Sequence, residues 1–322
     1  VSKIYWQAKI WGLLHDPALK SLSSGKGFAR EGQWNLLKCM EGWKSPKQKG
    51  PSRGEFELQG EWLKYIGLCD LISSASDRST IGRLDPKFSA VTYKEDKGLQ
   101  IRHLLSGEPF DIFLNDEWQQ EVKEKKQAFL EEQEIAFLDQ IKDWDDPKKV
   151  FWALWRCYPE FLEKQEPLIH LFPAETRLPD ASLWSHVSMT SALAGGLAGY
   201  YKNSEDYPKE NQRFDNFSRP YLVNFTFSPV QELIKASRKI RDFWAGSWIL
   251  HYLSAKVCMA IANQYGPDSL LYPCLYQQPL IDQWLLEQYP DFEKWLKKPE
   301  VSQLLTAGFP NVIIMILPNN NK

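Results

Sequence analysis

Apolar residues recur at three- and four-residue spacing from Ile4 to Leu14, and Pro17 closes that helix because proline disfavours helical backbone in the residue before it. His15 and Asp16 therefore stand at a helix terminus. From Ser21 to Gly54 the pattern lapses into Lys, Gly, Ser and Pro with a few Trp, which reads as a long insertion or loop rather than core. Helical spacing returns over Glu61 to Arg78. Glu117 to Lys142, rich in Glu, Lys and Gln with sparse apolar positions, predicts an exposed amphipathic helix. Asp143 to Pro147 breaks it, and Val150 to Lys164 resumes the helical period. Leu183 to Tyr201 is the next predicted helix. Ser188, Ala192, Gly195, Gly196 and Gly199 lie along one side of it, a face suited to close packing of a second backbone rather than to chemistry.

The polar stretch Asn203 to Ser218 reads as a linker, and the period changes after it. Tyr221 to Phe227 is β-branched or aromatic at nearly every position and predicts a buried strand. Pro229 forbids its continuation and suits a first helical turn. In the long helix expected next, Val230, Leu233, Ile234, Ile240, Trp244, Trp248 and Tyr252 form a packing side, while Lys235, Arg238, Lys239 and Arg241 fall largely on other faces. Asn311 to Leu317 is strand-like. The expected organisation is a mostly helical domain over residues 1–210 and an α+β domain over 211–322, with no repeat and only the terminal Asn run as low complexity.

Composition narrows the function classes. The 322 residues carry 25% charged side chains and a formal net charge of -2, so nucleic-acid binding would need a local basic patch or neighbouring subunits. The basic residues Lys235, Arg238, Lys239 and Arg241 are the candidates, though such a face is also what a solvated helix presents. Five dispersed cysteines with no C-x-x-C pair suggest neither a disulfide framework nor a zinc ribbon, and point to a reducing cytoplasm. No secretory signal pattern and no run of eighteen apolar residues occurs, so no membrane association is expected. Fourteen Trp imply large rigid cores with a few base-stacking platforms at most. The start without Met and the stop just after a strand read as the front part of a longer protein.

His15 and Asp16 are a half-set of ligands for a divalent metal able to activate water for phosphodiester cleavage; the alternative is a helix-terminal salt bridge. Asp70, Ser73, Ser74 and Asp77 fall at i, i+3, i+4 and i+7, one polar stripe on an otherwise apolar helix, which either meets a metal, a His or Arg78, or faces water. His186 and Thr190 share a helix face. His103, His170 and His251 have uninformative surroundings and are expected to be satisfied or solvent-facing. Phosphate-loop, dinucleotide, nucleophile-elbow and H-E-x-x-H motifs are all missing.

Four separated segments carry a family resemblance. These are Leu13-Leu-His15-Asp16-Pro17, Asp70-Leu-Ile-Ser-Ser-Ala-Ser-Asp77-Arg78, Pro173 through Trp184-Ser-His186, and Phe227-Ser-Pro-Val-Gln231 with Ala236-Ser-Arg-Lys239 and Arg241-Asp-Phe-Trp-Ala-Gly-Ser247. Together they resemble the N-terminal portion of the large subunit of type III-B CRISPR effector (Cmr) complexes, which joins an HD nuclease domain to polymerase-like palms. The resemblance implies an HD-type helical domain followed by the first half of a ferredoxin-like palm. It implies His15 and Asp16 as catalytic metal ligands, with Asp70, Asp77 and His186 as further ligands of a divalent ion such as manganese or nickel. Single-stranded DNA would be the substrate, with guide RNA, target RNA and other Cmr subunits as partners. Ala181 and Ser185 depart from the family, which often has His and Asp there, so a decayed scaffold subunit is one rival; a stand-alone HD phosphohydrolase is another. The Gly-Gly-Asp-Asp pair of the family's palms is missing from these residues, so ATP and cyclic oligoadenylate synthesis would belong only to a further C-terminal palm.

Overall fold

The computed structural model describes residues 1–22, 33–43, 68–73, 93–103, 105–174, 181–199 and 219–319. Helix α1, Lys3–Leu14, starts at Ser2, whose hydroxyl accepts from the Tyr5 amide, and is buried on every side from Tyr5 to Leu14. A helix surrounded on all faces belongs at the centre of a core, and the others are arranged around it. The described part of the next predicted helix is α2, Leu68–Ser73. A short antiparallel hairpin that the sequence pattern did not announce, β1 (Leu99–Arg102) with β2 (Pro109–Ile112), comes between it and α3, Asp116–Ile141. Asn115 caps α3 by accepting from the Trp118 amide at 3.0 Å, and the helix is interrupted at Lys125. Helix α4 (Pro147–Trp152), a wider π turn over Ala153–Cys157 and α5 (Tyr158–Glu163) form one irregular rod. Helix α6, Leu183–Ala198, ends at Gly199, whose φ of 57° favours glycine.

Strand β3 (Tyr221–Thr226), helices α7 (Val230–Lys235) and α8 (Ile240–Tyr265), β4 (Leu270–Tyr272), α9 (Pro279–Gln288), α10 (Val301–Leu304) and β5 (Val312–Leu317) follow. The sheet is antiparallel in the order β3-β5-β4, with Tyr221 opposite Leu317 and Thr226 opposite Val312. The fold is α+β in the broad sense, mostly helical with two small antiparallel sheets. One buried apolar cluster runs from Tyr5 and Trp11 through Phe137 and Trp152 to Ile281 and Met315.

Three expectations are corrected. Among the described residues Tyr221–Thr226 is an edge strand rather than a buried one: Leu222 is 73% exposed, because β5 pairs with it on one side and takes the central, buried place. The long helix after Pro229 is two, and Leu233, Ile240 and Trp244 of the expected packing side are exposed. The buried side of α8 lies further on, at His251, Ser254, Ala255, Cys258, Met259 and Ala262. The stretch Ser21 to Gly54 also reaches the core, since Leu37, Cys39, Met40 and Trp43 are buried.

Close approach of α1 and α6 holds this arrangement. A Cβ on Gly12 would stand 2.5 Å from the Ser191 Cα, and one on Gly195 would meet the Lys9 and Tyr5 side chains. The Ser191 hydroxyl donates to the Lys9 carbonyl at 3.0 Å. Lys9 itself is fully buried, its ammonium 2.7 Å from Asp268 and donating to the Ser269 hydroxyl, with the Phe151 ring at 5.1 Å. Burial pushes Lys9 down and Asp268 up, and their mutual attraction opposes both shifts. A second buried pair is bidentate, with Arg156 donating to both Asp282 oxygens at 2.7 Å.

Lys9→Met strands Asp268 in the core and should lower unfolding free energy in urea by about 3–5 kcal/mol, whereas Lys9→Met/Asp268→Leu should recover most of that loss. Gly12→Ala should cost about 1–3 kcal/mol in the same titration, because the methyl group meets backbone that cannot rotate away.

Candidate metal centre

The end of α1, helix α2 and one face of α6 bring four side chains together. His15 Nε2 lies 3.6 Å from Asp16 Oδ2 and 3.6 Å from Asp70 Oδ1. His186 Nε2 lies 3.4 Å from the same two oxygens, and the two Nε2 atoms are 3.3 Å apart. One ligand atom each from His15, Asp70 and His186 falls within 4.8 Å of the other two, and Asp16 closes on both imidazoles. The histidine side chains are nearly buried and the carboxylates about one-fifth exposed, so the centre opens to solvent on its acidic side.

Surrounding hydrogen bonds orient both rings. His15 Nδ1 is 2.8 Å from the Gly12 carbonyl, which only accepts, so the proton sits on Nδ1 and the Nε2 lone pair turns to the centre. The Ser73 hydroxyl donates to the Asp70 carbonyl at 3.0 Å, leaving its oxygen to accept from His186 Nδ1 at 3.4 Å and from Thr190 at 2.6 Å. His186 is thereby set in the same tautomer. Two imidazole Nε2 atoms and two carboxylates form a mixed N/O donor set suited to a first-row divalent ion.

The electrostatics agree. Burial alone would raise Asp16, but the charges of His15 and Lys20 and hydrogen bonds from His186 and Lys20 hold it well below the usual carboxylate range. Asp70 is likewise held low against burial by hydrogen bonds from His15 and His186. Burial works against charge on His186, yet its hydrogen bonds to Asp16 and Asp70 prevail and lift it to about 9. Without an ion, a proton on His186 offsets the paired carboxylates.

Asp77, Ser74 and Arg78 lie outside the described residues, so the stripe contributes Asp70 and Ser73. Ser185, one of the two departures from the family pattern, is exposed and lines a separate apolar cleft of about 620 Å³ with Leu14, Trp155 and Trp184. Lys235, Arg238, Lys239 and Arg241 are exposed around the α7–α8 junction and form no part of the cluster. Lys20, which pairs with Asp16 one helical turn on, was not singled out in the sequence; its i+4 spacing was the available signal. His251 is buried, its Nδ1 accepting from the Gly308 and Phe309 amides at 2.8 Å. His103 is exposed, and His170 lies 3.2 Å from Glu163.

The model of the family described as CRISPR-associated protein Cmr2, N-terminal, matches residues 222–322. The chain is 28% identical over 188 residues to the Cmr2 subunit of the Pyrococcus furiosus Cmr system, covering 52% of this chain and 18% of that protein. The chain is thus similar to the N-terminal portion of Cmr2, the large subunit of type III-B Cmr complexes. The Cmr2 subunit of Saccharolobus solfataricus is 26% identical over 131 residues, covering 41% of this chain and 10% of that one. Among solved structures, the type III-B Cmr-beta complex bound to cognate target RNA holds a chain that superposes with a TM-score of 0.59 at 19% identity, over 97% of this chain and 28% of its own. The apo state of Cmr-beta gives 0.57 at 18% identity, over 97% and 29%. At these identities the likeness speaks for the fold. The chain spans less than a third of the length of each of these Cmr2 relatives. Among the described residues no helix is long and apolar enough to cross a membrane.

A metal needs neutral imidazole, so its binding must expel the His186 proton, and affinity should climb with pH until about 9. Calorimetry with manganese at neutral pH, repeated in buffers of different ionisation enthalpy, should report release of about one proton per ion bound. For the ion-free protein the sign is opposite. The raised His186 contributes stability that is complete below its ordinary value of 6.5 and lost as pH rises through about 9.

Proposed function

We propose that this chain is the HD-type nuclease portion and the first half of a palm in the large subunit of a type III-B effector, and that it cuts single-stranded DNA at His15, Asp16, Asp70 and His186. The observation that carries the reading is convergence: three stretches far apart in sequence deliver two imidazole Nε2 atoms and two ionised carboxylates to one point. A solvated salt bridge would need neither the aligned tautomers nor two acids. The proposed HD-type part is 1–210, with the palm half over 211–322.

Each residue has a task. His15 and His186 hold an ion through Nε2, and Asp16 and Asp70 supply the negative charge that retains it. A divalent ion so held supplies Lewis acidity and a lowered pKa for water, the chemistry phosphodiester hydrolysis requires. Lys20, at the partly exposed rim beside Asp16, faces the charge of an incoming phosphodiester. The exposed cations Lys235, Arg238, Lys239 and Arg241 contact nucleic-acid backbone away from the cutting point. Guide and target RNA and the other Cmr subunits are the proposed partners, by kinship with the Cmr-beta chain bound to target RNA. ATP chemistry is not assigned to these residues.

Manganese-dependent cutting of labelled single-stranded DNA by the assembled complex should fall about 100-fold or more in His15→Ala/Asp16→Ala and in Asp70→Ala, with guide and target binding kept. Equal cutting by the wild type and both variants would overturn the assignment, as would a wild-type complex that binds target RNA and leaves single-stranded DNA intact.

A further inference from the structure

We propose that Glu134 is a positioning residue for the metal centre, fixing the turn that presents Asp16 against the helix that presents His186. The inference rests on the metal-centre reading and concerns a residue outside the cluster.

Glu134 lies on the inner face of α3 and is buried, 5% exposed. Its two carboxylate oxygens have different work. Oε1 accepts from the Leu19 amide at 2.5 Å, within the turn that follows the His15-Asp16-Pro17 corner. Oε2 accepts from the Tyr158 hydroxyl at 3.1 Å. Tyr158 is itself buried, stacks on Phe137 with ring centres 5.1 Å apart, and meets the Trp184 ring edge to face at 5.7 Å. Trp184 stands in the first turn of α6, two residues before His186, and its indole donates to the Ile169 carbonyl.

A rigid connection therefore runs from the turn after Asp16, through Glu134 and Tyr158, to the start of α6. Each link is a hydrogen bond or a ring contact. The Ala18 amide of the same turn also bonds to Glu134. The Lys20 amide bonds back to the Pro17 carbonyl and the Leu22 amide to the Leu19 carbonyl, both inside the turn, whereas the Leu19 amide is tied to another element only by Glu134. A carboxylate so deep in an apolar core is costly, and burial pushes it up to about 7, with Asp16 adding to the shift. Leu or Met would fill the same volume without that cost. What they would not provide is an acceptor for both Leu19 and Tyr158 at once.

The test compares Glu134→Gln, Glu134→Ala and Tyr158→Phe in the full chain, reading manganese affinity by calorimetry and the bound ion's symmetry by electron paramagnetic resonance, both normalised to the folded fraction. Glu134→Gln keeps a carbonyl for Leu19 and an amide for the Tyr158 oxygen, so affinity and spectrum should stay within about threefold of wild type. Glu134→Ala should lower affinity by about 10–100-fold and broaden the spectrum, with Tyr158→Phe between the two. His15→Ala/Asp16→Ala is the reference. If it leaves manganese binding intact, the metal-centre reading has failed. If it abolishes binding while folded Glu134→Ala binds like wild type, or if Glu134→Gln loses as much as Glu134→Ala, the positioning role is overturned.

Discussion

The contact on which the structure turns is backbone against backbone, Gly12 of α1 on Ser191 of α6. Helices packed through ordinary side chains stand about 8–10 Å apart, and small residues at the crossing bring them nearer. Here that nearness has a chemical result. His15 follows Gly12 by three residues and His186 precedes Ser191 by five, so two imidazoles 171 residues apart in sequence meet at 3.3 Å. The Gly12 carbonyl then accepts from His15, so the residue that permits the approach also sets the ring. The same proximity buries Lys9 and leaves it dependent on Asp268.

Around that crossing the polar groups are arranged so that each has a definite role. The rings use Nδ1 for orientation and turn Nε2 to the cluster, and Ser73 with Thr190 relays orientation from α2 to α6. Two carboxylates beside two imidazoles repel one another unless a cation stands between them. In the ion-free protein a proton on His186 and the ammonium of Lys20 share that duty. A proton and a cation would therefore compete for one place.

The sequence revealed the helices and much of the centre, for identifiable reasons. Leu13-Leu-His15-Asp16-Pro17 carries its own punctuation, and α1, α3 and α6 follow from period and caps. Asp70 and the His186–Thr190 face were legible because i, i+3 and i+4 relations are local. That these faces meet was not, since it depends on a tertiary crossing made by one glycine. Glu134 was hidden for a similar cause: in a run of Glu, Lys and Gln it looks like a solvated residue, and only the burial of one stripe of α3 distinguishes it. The exposure of β3 misled in the other direction, because an apolar strand sequence does not reveal whether neighbours flank it on one side or two. Residues 23–32 and 44–54 of the expected loop and Asp77 of the stripe lie outside what the structure describes.

Lys9 and Asp268 are 259 residues apart, and Arg156 and Asp282 are 126 apart. Synthesis runs from one end at roughly 5–20 residues per second, so α1 is made tens of seconds before the carboxylate that neutralises its buried ammonium. Until then the Lys9 ammonium lacks the carboxylate it meets in the folded chain. The crossing that brings His15 to His186 thus shares its helix with a charge pair that closes only after a long further stretch of chain has been made.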